Sequence, residues 1–365
     1  MPRLDLNTVR NKIDTLDEQI QTLVTQRALL AEDVARAKYA AEENPEFYRP
    51  EREAQVLNNV KKRNQGPLPD AFMTHLFREI MSACLALQKP LEVAYLGPRG
   101  TFSEAAVLKH FGHAVKGQAT QTIEEVFREV ASGVVDYGVV PIENSTEGGV
   151  NQTLDMFMKS ALKICGEVEL HIHQCLMAQT GSLEQVKKTA QRIYSHPQSL
   201  GQCRLWLDTH LPGIDRVTVS SNAEAARLAA SESDAVAIAG KLAAEQYELN
   251  LLAEHIEDEM DNTTRFAILG RNSPPPTDHD KTSLLVSCPD TPGALHRLLA
   301  PITTQGFSMS RIESRPSRQG MWQYVFFIDL EGHIDNSGMR NVLEELEQHS
   351  LLLKHLGSYP RTMST

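Results

Sequence analysis

The sequence predicts a multidomain protein: an all-α segment first, an α/β segment in the middle and a ferredoxin-like βαββαβ segment at the end. Three observations carry this reading. The chain has 365 residues, a length that sets a prior of two or three domains. The hydrophobic spacing changes from purely helical to mixed at Leu91. A second break, Ser273-Pro274-Pro275-Pro276, reads as a stiff linker. The expected domains are therefore 1–90, 91–272 and 280–360.

From Leu6 to about Ala40 neither Gly nor Pro interrupts, and Val9, Ile13, Leu16, Ile20, Leu23, Leu30 and Val34 recur at three- and four-residue steps. The spacing predicts one helix of about 50 Å at 1.5 Å per residue, too long to bury its stripe in a small domain unless another long helix lies alongside. Homodimerisation is the economical solution. After a break at Asn44 to Pro50, helical patterns resume over Glu51 to Lys62 and Pro69 to Gln88.

Beyond Leu91, β-rich runs (Leu91 to Leu96, Arg192 to Ser195, Arg216 to Val219, Asp234 to Ala239, Thr264 to Leu269) alternate with helical stretches such as Ile123 to Ala131 and Ala223 to Ser231. The last segment reads strand Ser283 to Cys288, helix Gly293 to Thr304, strand Phe307 to Arg315, a turn at Arg318-Gln319-Gly320, strand Tyr324 to Leu330, helix Met339 to His349 and strand Leu351 to Tyr359.

Composition narrows the function. With 36 Lys+Arg against 47 Asp+Glu, the formal net charge of −11 argues against a general grip on nucleic acid or anionic membrane, while local basic pockets for small anions stay open. No run is long and apolar enough to span a bilayer and no leader-like start is seen, so the expectation is a cytoplasmic protein. The five cysteines are scattered and never spaced C-x-x-C, which suggests neither a disulfide framework nor a cysteine zinc site.

The helical stripe contains misplaced cations. Arg27 occupies a seam position between Leu23 and Leu30, and Lys38, eleven residues on, projects from nearly the same face. Arg10, seventeen residues from Arg27, is rotated about 100° away and fits a partner's site better than its own. Surface cations whose stems cover apolar area are the plain alternative. Together with Arg49, Arg52, Glu53, Cys84 and Gln88, the pattern resembles the all-helical chorismate mutase family over the first 90 residues or so. The resemblance implies an intertwined dimer in which each site borrows an arginine from the other chain. It implies that Arg27 and the other chain's Arg10 grip two carboxylates, that Lys38 and Gln88 donate to the breaking ether oxygen, and that Glu53 accepts from the ring hydroxyl with Arg52 beside it. Arg49 stands where the family pattern has an aspartate and Cys84 where it has a serine. A pericyclic rearrangement needs no nucleophile or proton transfer, so a set of fixed donors suits it.

In the middle segment three stretches sit at strand ends: Gly97 to Ser103, Val140 to Ser145, and Thr263-Thr264-Arg265-Phe266. The first is a suitable anion-binding helix start, or an ordinary tight turn, and lacks the lysine of a P-loop. With Tyr194 to Gln198 and Gln202, the set resembles prephenate dehydratase from Leu91 to about Gly270. That implies two α/β lobes built like type II periplasmic binding proteins, with the site in the cleft between them. It implies Thr264 as the hydroxyl donor, polar contacts from Thr101, Ser103, Asn144, Ser195 and Gln202, and Arg265 pairing nearby; Glu143 and His196 are open between loop anchors and acid–base groups.

Gly293-Ala294-Leu295 before a helix and Glu313-Ser314-Arg315-Pro316 closing a strand resemble the phenylalanine-binding signatures of ACT regulatory domains. An ordinary capped ferredoxin-like domain is the alternative. In that order, the three resemblances imply the bifunctional P-protein family: chorismate to prephenate to phenylpyruvate, with feedback by phenylalanine, a homodimer or higher oligomer, and neither metal nor organic cofactor. The rival is a non-catalytic small-molecule sensor on a helical dimerisation arm.

Overall fold

The computed structural model describes residues 5–43, 45–316 and 324–362. The turn expected at Arg318-Gln319-Gly320 lies outside the described residues. Contacts divide the chain into two compact units, one holding the chain up to Leu91 with the short stretch Phe111–Lys116, the other holding Glu92–His110 and the chain from Gly117 on.

The first unit is helical: α1 (Leu6–Ala41), α2 (Pro50–Arg63) and α3 (Asp70–Gln88). Local chemistry sets the boundaries. Asp5 caps α1 by accepting from the Thr8 N–H at 3.1 Å. Proline opens α2, with Glu51 and Glu53 in its first turn and Lys61, Lys62 and Arg63 in its last, each sign matched to the helix dipole. Within one chain the α1 stripe finds little cover: Ile20 is 58% exposed, Leu23 63% and Leu30 63%, while only Ala31 and Ala35 of the helix are buried.

The second unit opens with β1 (Glu92–Leu96), α4 (Phe102–Phe111), β2 (Lys116–Thr120), α5 (Ile123–Ser132), β3 (Tyr137–Asn144), the short β4 (Gly148–Gly149), α6 (Asn151–Lys159) and β5 (Lys163–His171). The chain then crosses into a second lobe of β6 (Cys175–Ala178), α7 (Leu183–Thr189), β7 (Arg192–Ser195), α8 (Pro197–Gln202), α9 (Arg204–His210), β8 (Asp215–Thr218), α10 (Asn222–Ala229), β9 (Ala235–Ala239), α11 (Lys241–Gln246) and β10 (Asn250–Ala253). It returns as β11 (Thr263–Gly270), which inserts antiparallel between β3 and β5, so the first sheet runs β2-β1-β3-β11-β5 and the second β10-β6-β9-β7-β8. This is the two-lobed α/β plan with two crossovers.

The rest is β12 (Asp280–Ser287), α12 (Ala294–Thr304), β13 (Met309–Pro316), β14 (Tyr324–Glu331), α13 (Ser337–His349) and β15 (Leu352–Pro360), with strand order β13-β14-β12-β15 and every pair antiparallel. It is the expected βαββαβ domain. The Pro-rich stretch differs from the stiff spacer expected: Pro274 is buried and its carbonyl lies 3.1 Å from His333 Nε2. Leu285, Phe327, Leu356 and Tyr359 share one apolar cluster with Phe157, Ile164 and Leu269, so the middle and last segments fold against each other. The two approach closely at Gly357, where a Cβ would stand 2.1 Å from the Ile164 carbonyl oxygen. Among the described residues no helix is long and apolar enough to cross a membrane.

Candidate active site

A cavity of about 740 Å³ opens between the two lobes of the second unit. Leu96 to Ser103 (Arg99 excepted), Asn144 and Thr264 line it from the first lobe, and His196, Gln198, Ser199, Gln202 and Ser220 to Asn222 from the second. Among the described residues no Lys or Arg lines it. Main-chain N–H groups are available instead, because α4 and α10 both begin at the cavity wall, where Glu224 of the first turn of α10 also lies. Thr101 takes the cap position of α4, donating to the Leu96 carbonyl (3.2 Å) and accepting from the Glu104 N–H (3.4 Å), and Ser221 caps α10 by accepting from the Glu224 N–H at 3.0 Å.

Thr264 stands on β11 directly opposite Asn144 on β3, next to a register shift that follows Arg265. The Asn144 amide is fixed at both ends. Its Oδ1 accepts from the Thr146 N–H (3.0 Å), the Thr146 hydroxyl (2.7 Å) and the Glu147 N–H (3.2 Å), an arrangement that turns its Nδ2 outward to donate to Thr264 Oγ1 at 2.8 Å and Asn262 Oδ1 at 2.9 Å. Thr264 thus receives a hydrogen bond, and among the described residues its own hydroxyl proton has no acceptor. Asn262 Nδ2 and Gln174 Oε1 are buried there with no hydrogen-bond partner among the described residues, and both residues line the cavity.

Two expected contacts lie elsewhere. Ser195 is fully buried; its Oγ donates to the Ile238 carbonyl at 2.8 Å and lies 3.0 Å from Asn222 Oδ1, so it props Asn222, which does line the cavity. Arg265 follows Thr264 on the strand and must face the opposite side. There its guanidinium meets Asp329 (2.7 Å), Glu143 (3.1 Å) and Glu167 (3.2 Å), with Lys281 2.8 Å from Glu167 and Arg311 3.0 Å from Glu143. Burial works against both charges, but Arg265 and the Ser283 hydroxyl hold the Asp329 carboxyl below its ordinary value, and the carboxylates hold Arg265 above its own. Glu143 is thereby an ion-pair member rather than an acid at the cavity, and His196 Nδ1 caps α8 by accepting from the Gln198 N–H at 3.3 Å.

In the helical unit, Arg27 reaches the Ile80 carbonyl on α3 (3.5 Å) and Lys38 Nζ donates to the carbonyls of Glu46 (2.8 Å) and Phe47 (3.4 Å), keeping a third proton. Burial, with Arg49 nearby, lowers the Lys38 pKa. Glu53 pairs with Arg78 on α3 at 3.2 Å; burial pushes its carboxyl up and Arg78 opposes the shift. Arg52 bonds Gln55, Arg49 lies 3.7 Å from Glu51, Arg10 is exposed, Cys84 is buried, and Gln88 ends α3 one turn beyond Cys84 on the same face. In the last domain, Gly293 caps α12 in the left-handed region (φ 77°) and Leu295 is 36% exposed. On β13 the side chains of Glu313 and Arg315 turn to the middle domain, Glu313 against Gly149 and Arg315 to Asp155 at 2.9 Å, leaving Ile312 and Ser314 on the exposed face.

Three family models match in turn: chorismate mutase type II over residues 9–89, prephenate dehydratase over 93–274 and ACT domain over 282–348. The chain is 54% identical over 362 residues to the bifunctional chorismate mutase/prephenate dehydratase of Stutzerimonas stutzeri, covering 98% of each, and 53% identical to that of Pseudomonas aeruginosa with the same coverage. It belongs to the bifunctional chorismate mutase/prephenate dehydratases. Both activities come with that membership, placing the protein in aromatic amino acid biosynthesis. A solved prephenate dehydratase from Arthrobacter aurescens, in complex with L-Phe, is 39% identical and covers 74% of this chain and 90% of its own, with a TM-score of 0.67.

Among the cavity residues of this chorismate mutase/prephenate dehydratase that the motifs did not point to are Gln174, Asn222 and Asn262. Asn262 was within reach, two positions before Thr264 on the same side of the chain. Asn222 follows Ser221 in a Ser-x-x-Glu capping pattern that marks a helix start. Gln174 carries no local signal, because the crossover alone brings it to the wall.

Proposed function

We propose that Thr264 is the proton donor to the departing ring hydroxyl of prephenate. The substrate loses CO₂ and water as its ring becomes aromatic, so the protein must supply one proton to the leaving oxygen and hold the rest in place. The observation that carries this is the 2.8 Å bond from Asn144 Nδ2 to Thr264 Oγ1, which leaves the hydroxyl proton free for the cavity. The helix starts at α4 and α10 hold the substrate carboxylates, and Asn262 and Gln202 contact the ring substituents.

In the helical unit, Arg27 and Arg10 of a second copy grip the chorismate carboxylates while Lys38 and Gln88 stabilise the ether oxygen. The exposed α1 stripe supports a homodimer, since a second copy of the same helix is long enough to cover it. Lys38→Ala is expected to lower mutase turnover at least about a hundredfold, the scale for removing one preorganised donor, with dehydration of supplied prephenate unchanged. Chorismate loss and phenylpyruvate formation, followed separately, test both halves. Tight binding of chorismate and prephenate with no turnover of either would favour the sensor reading.

Phenylalanine, the amino acid that phenylpyruvate yields, binds the last domain at Gly293-Ala294-Leu295 and inhibits dehydration; the L-Phe in the Arthrobacter aurescens structure supports this. Deleting that domain would strip the core it shares with the dehydratase, so a point change is the cleaner test. At Gly293 the φ of 77° disfavours a β-branched residue, and an added Cβ would meet Arg297 Nη1 at 3.2 Å. Gly293→Val should raise the inhibitory phenylalanine concentration at least about tenfold with turnover unaltered. An unchanged titration would place the inhibitor elsewhere. The protein works in the cytoplasm on this reading.

A further inference from the structure

The second unit holds a cluster of metal-ligating side chains that neither activity uses. It lies where the chain crosses between the lobes. The outgoing crossover carries His171-Ile172-His173 and the returning one His255-Ile256-Glu257. Each triplet buries its isoleucine, Ile172 at 5% and Ile256 at 0% exposure, and main-chain bonds from Ile172 N–H to the Asn262 carbonyl (2.8 Å) and Ile256 N–H to the Gln174 carbonyl (3.0 Å) fasten the crossovers together. His173 Nδ1 then lies 2.8 Å from Glu257 Oε1 and 3.0 Å from His255 Nδ1, with His255 Nδ1 3.7 Å from the same carboxylate.

We propose that His173, His255 and Glu257 bind a divalent first-row transition ion, zinc(II) being the best fit. Protons alone serve this arrangement poorly. A neutral ring nitrogen is either donor or acceptor, so if His173 Nδ1 donates to Glu257, its hydrogen is spent and the facing His255 nitrogen is left without it. If His255 donates to His173, the His173 lone pair is spent and its nitrogen has no proton for the carboxylate. A cation between the three atoms satisfies all of them at once. At metal–ligand distances of about 2.0–2.1 Å, neighbouring ligand atoms stand about 2.9 Å apart in an octahedron and about 3.3 Å in a tetrahedron, and the three observed separations bracket those values.

Two imidazoles with one carboxylate select zinc, cobalt or nickel over magnesium and calcium, which prefer all-oxygen ligand sets. The supporting contacts are in place: Glu257 Oε2 accepts from the Gln174 N–H at 2.8 Å, fixing the carboxylate's orientation. Exposure of the His173 and His255 side chains, 43% and 57%, leaves an entry path and room for water on the remaining positions, while the Glu257 side chain is 1% exposed. None of the three lines the cavity, so the ion belongs to the crossover and not to the reacting centre.

The test uses the full chain, stripped with a chelator and titrated with Co²⁺ while visible absorption is followed, then with Zn²⁺ in competition. One equivalent per chain should bind, and X-ray absorption of the Zn²⁺ form should show two imidazoles. His255→Ala and Glu257→Gln should each weaken Zn²⁺ at least about a hundredfold, more than the loss of a supporting contact, while His171→Ala changes it less than threefold. Circular dichroism checks that each variant is folded. If either variant unfolds, the imidazole count on the unaltered chain decides the matter. Substoichiometric binding, no imidazole around the ion, or affinity unchanged in folded His255→Ala would overturn the site.

Discussion

Thr264→Val is expected to lower dehydratase turnover by about 10²–10³-fold, the usual cost of removing one preorganised donor, with mutase activity unchanged. The substitution keeps the branched shape and deletes only the hydroxyl. Asn144 Nδ2 then loses one acceptor but retains Asn262 Oδ1 at 2.9 Å, so the wall should hold its form. The leaving oxygen gains its proton only as the bond breaks, and the loss should therefore fall on kcat much more than on KM. Phenylpyruvate formation from supplied prephenate measures it, and prephenate should accumulate when chorismate is the substrate. An unchanged rate would transfer the role to another group on the wall. Glu143 is not the next choice, since Arg265 and Arg311 hold its carboxylate; His196 is, because it lines the cavity.

Arg265→Met should destabilise the second unit by about 3–5 kcal/mol, the cost of removing one partner from a buried ion pair. Asp329 and Glu167 are both buried, and Arg265 is shared between them and Glu143. Arg265→Lys, which keeps the charge but not the fork, should cost less. Denaturant midpoints followed through the second unit measure the effect, and a shift below about 1 kcal/mol would mean that the ion cluster contributes little to stability. The pH dependence has a definite sign. With its folded pKa held below the ordinary 3.8, Asp329 contributes stability that is complete above that value and lost as pH falls through the lower folded value. In Arg265→Met only the Ser283 hydroxyl, Arg311 and Lys281 still oppose burial, so Asp329 takes up its proton at higher pH than in the parent chain and this share of the stability is lost earlier as pH falls.

The cluster also gives a physical connection between the last domain and the strand that carries Thr264. Asp329 on β14 and Lys281 on β12 meet Arg265 and Glu167 across the domain boundary, and Arg265 is the residue after Thr264. Strand alternation assigns the two neighbours opposite tasks, one facing the cavity and the other the adjoining domain. That alternation was present in Thr264-Arg265; what Arg265 would meet was not.

The features legible in the order of residues are those governed by short-range rules. Three hydrophobic periods separated the helical, α/β and βαββαβ segments, and most expected elements lie within two or three residues of those observed, as with Ile123 to Ala131 against α5 and Asp234 to Ala239 against β9. Motif residues at strand ends, Thr264 and Asn144 among them, were legible for the same reason. Which groups meet across long separations follows from the packing of the folded chain. Ser195 proved buried because Ile238, on a neighbouring strand, takes its proton. The Pro274 stretch proved to be docked backbone because Leu285, Phe327 and Tyr359 complete a core begun by Phe157 and Ile164. His173 and Glu257, 84 residues apart, came together only because β11 returns beside β5 and carries its crossover with it. Periodicity records which way a side chain faces within its own element, while its partner depends on which distant element packs there, and no local pattern encodes that.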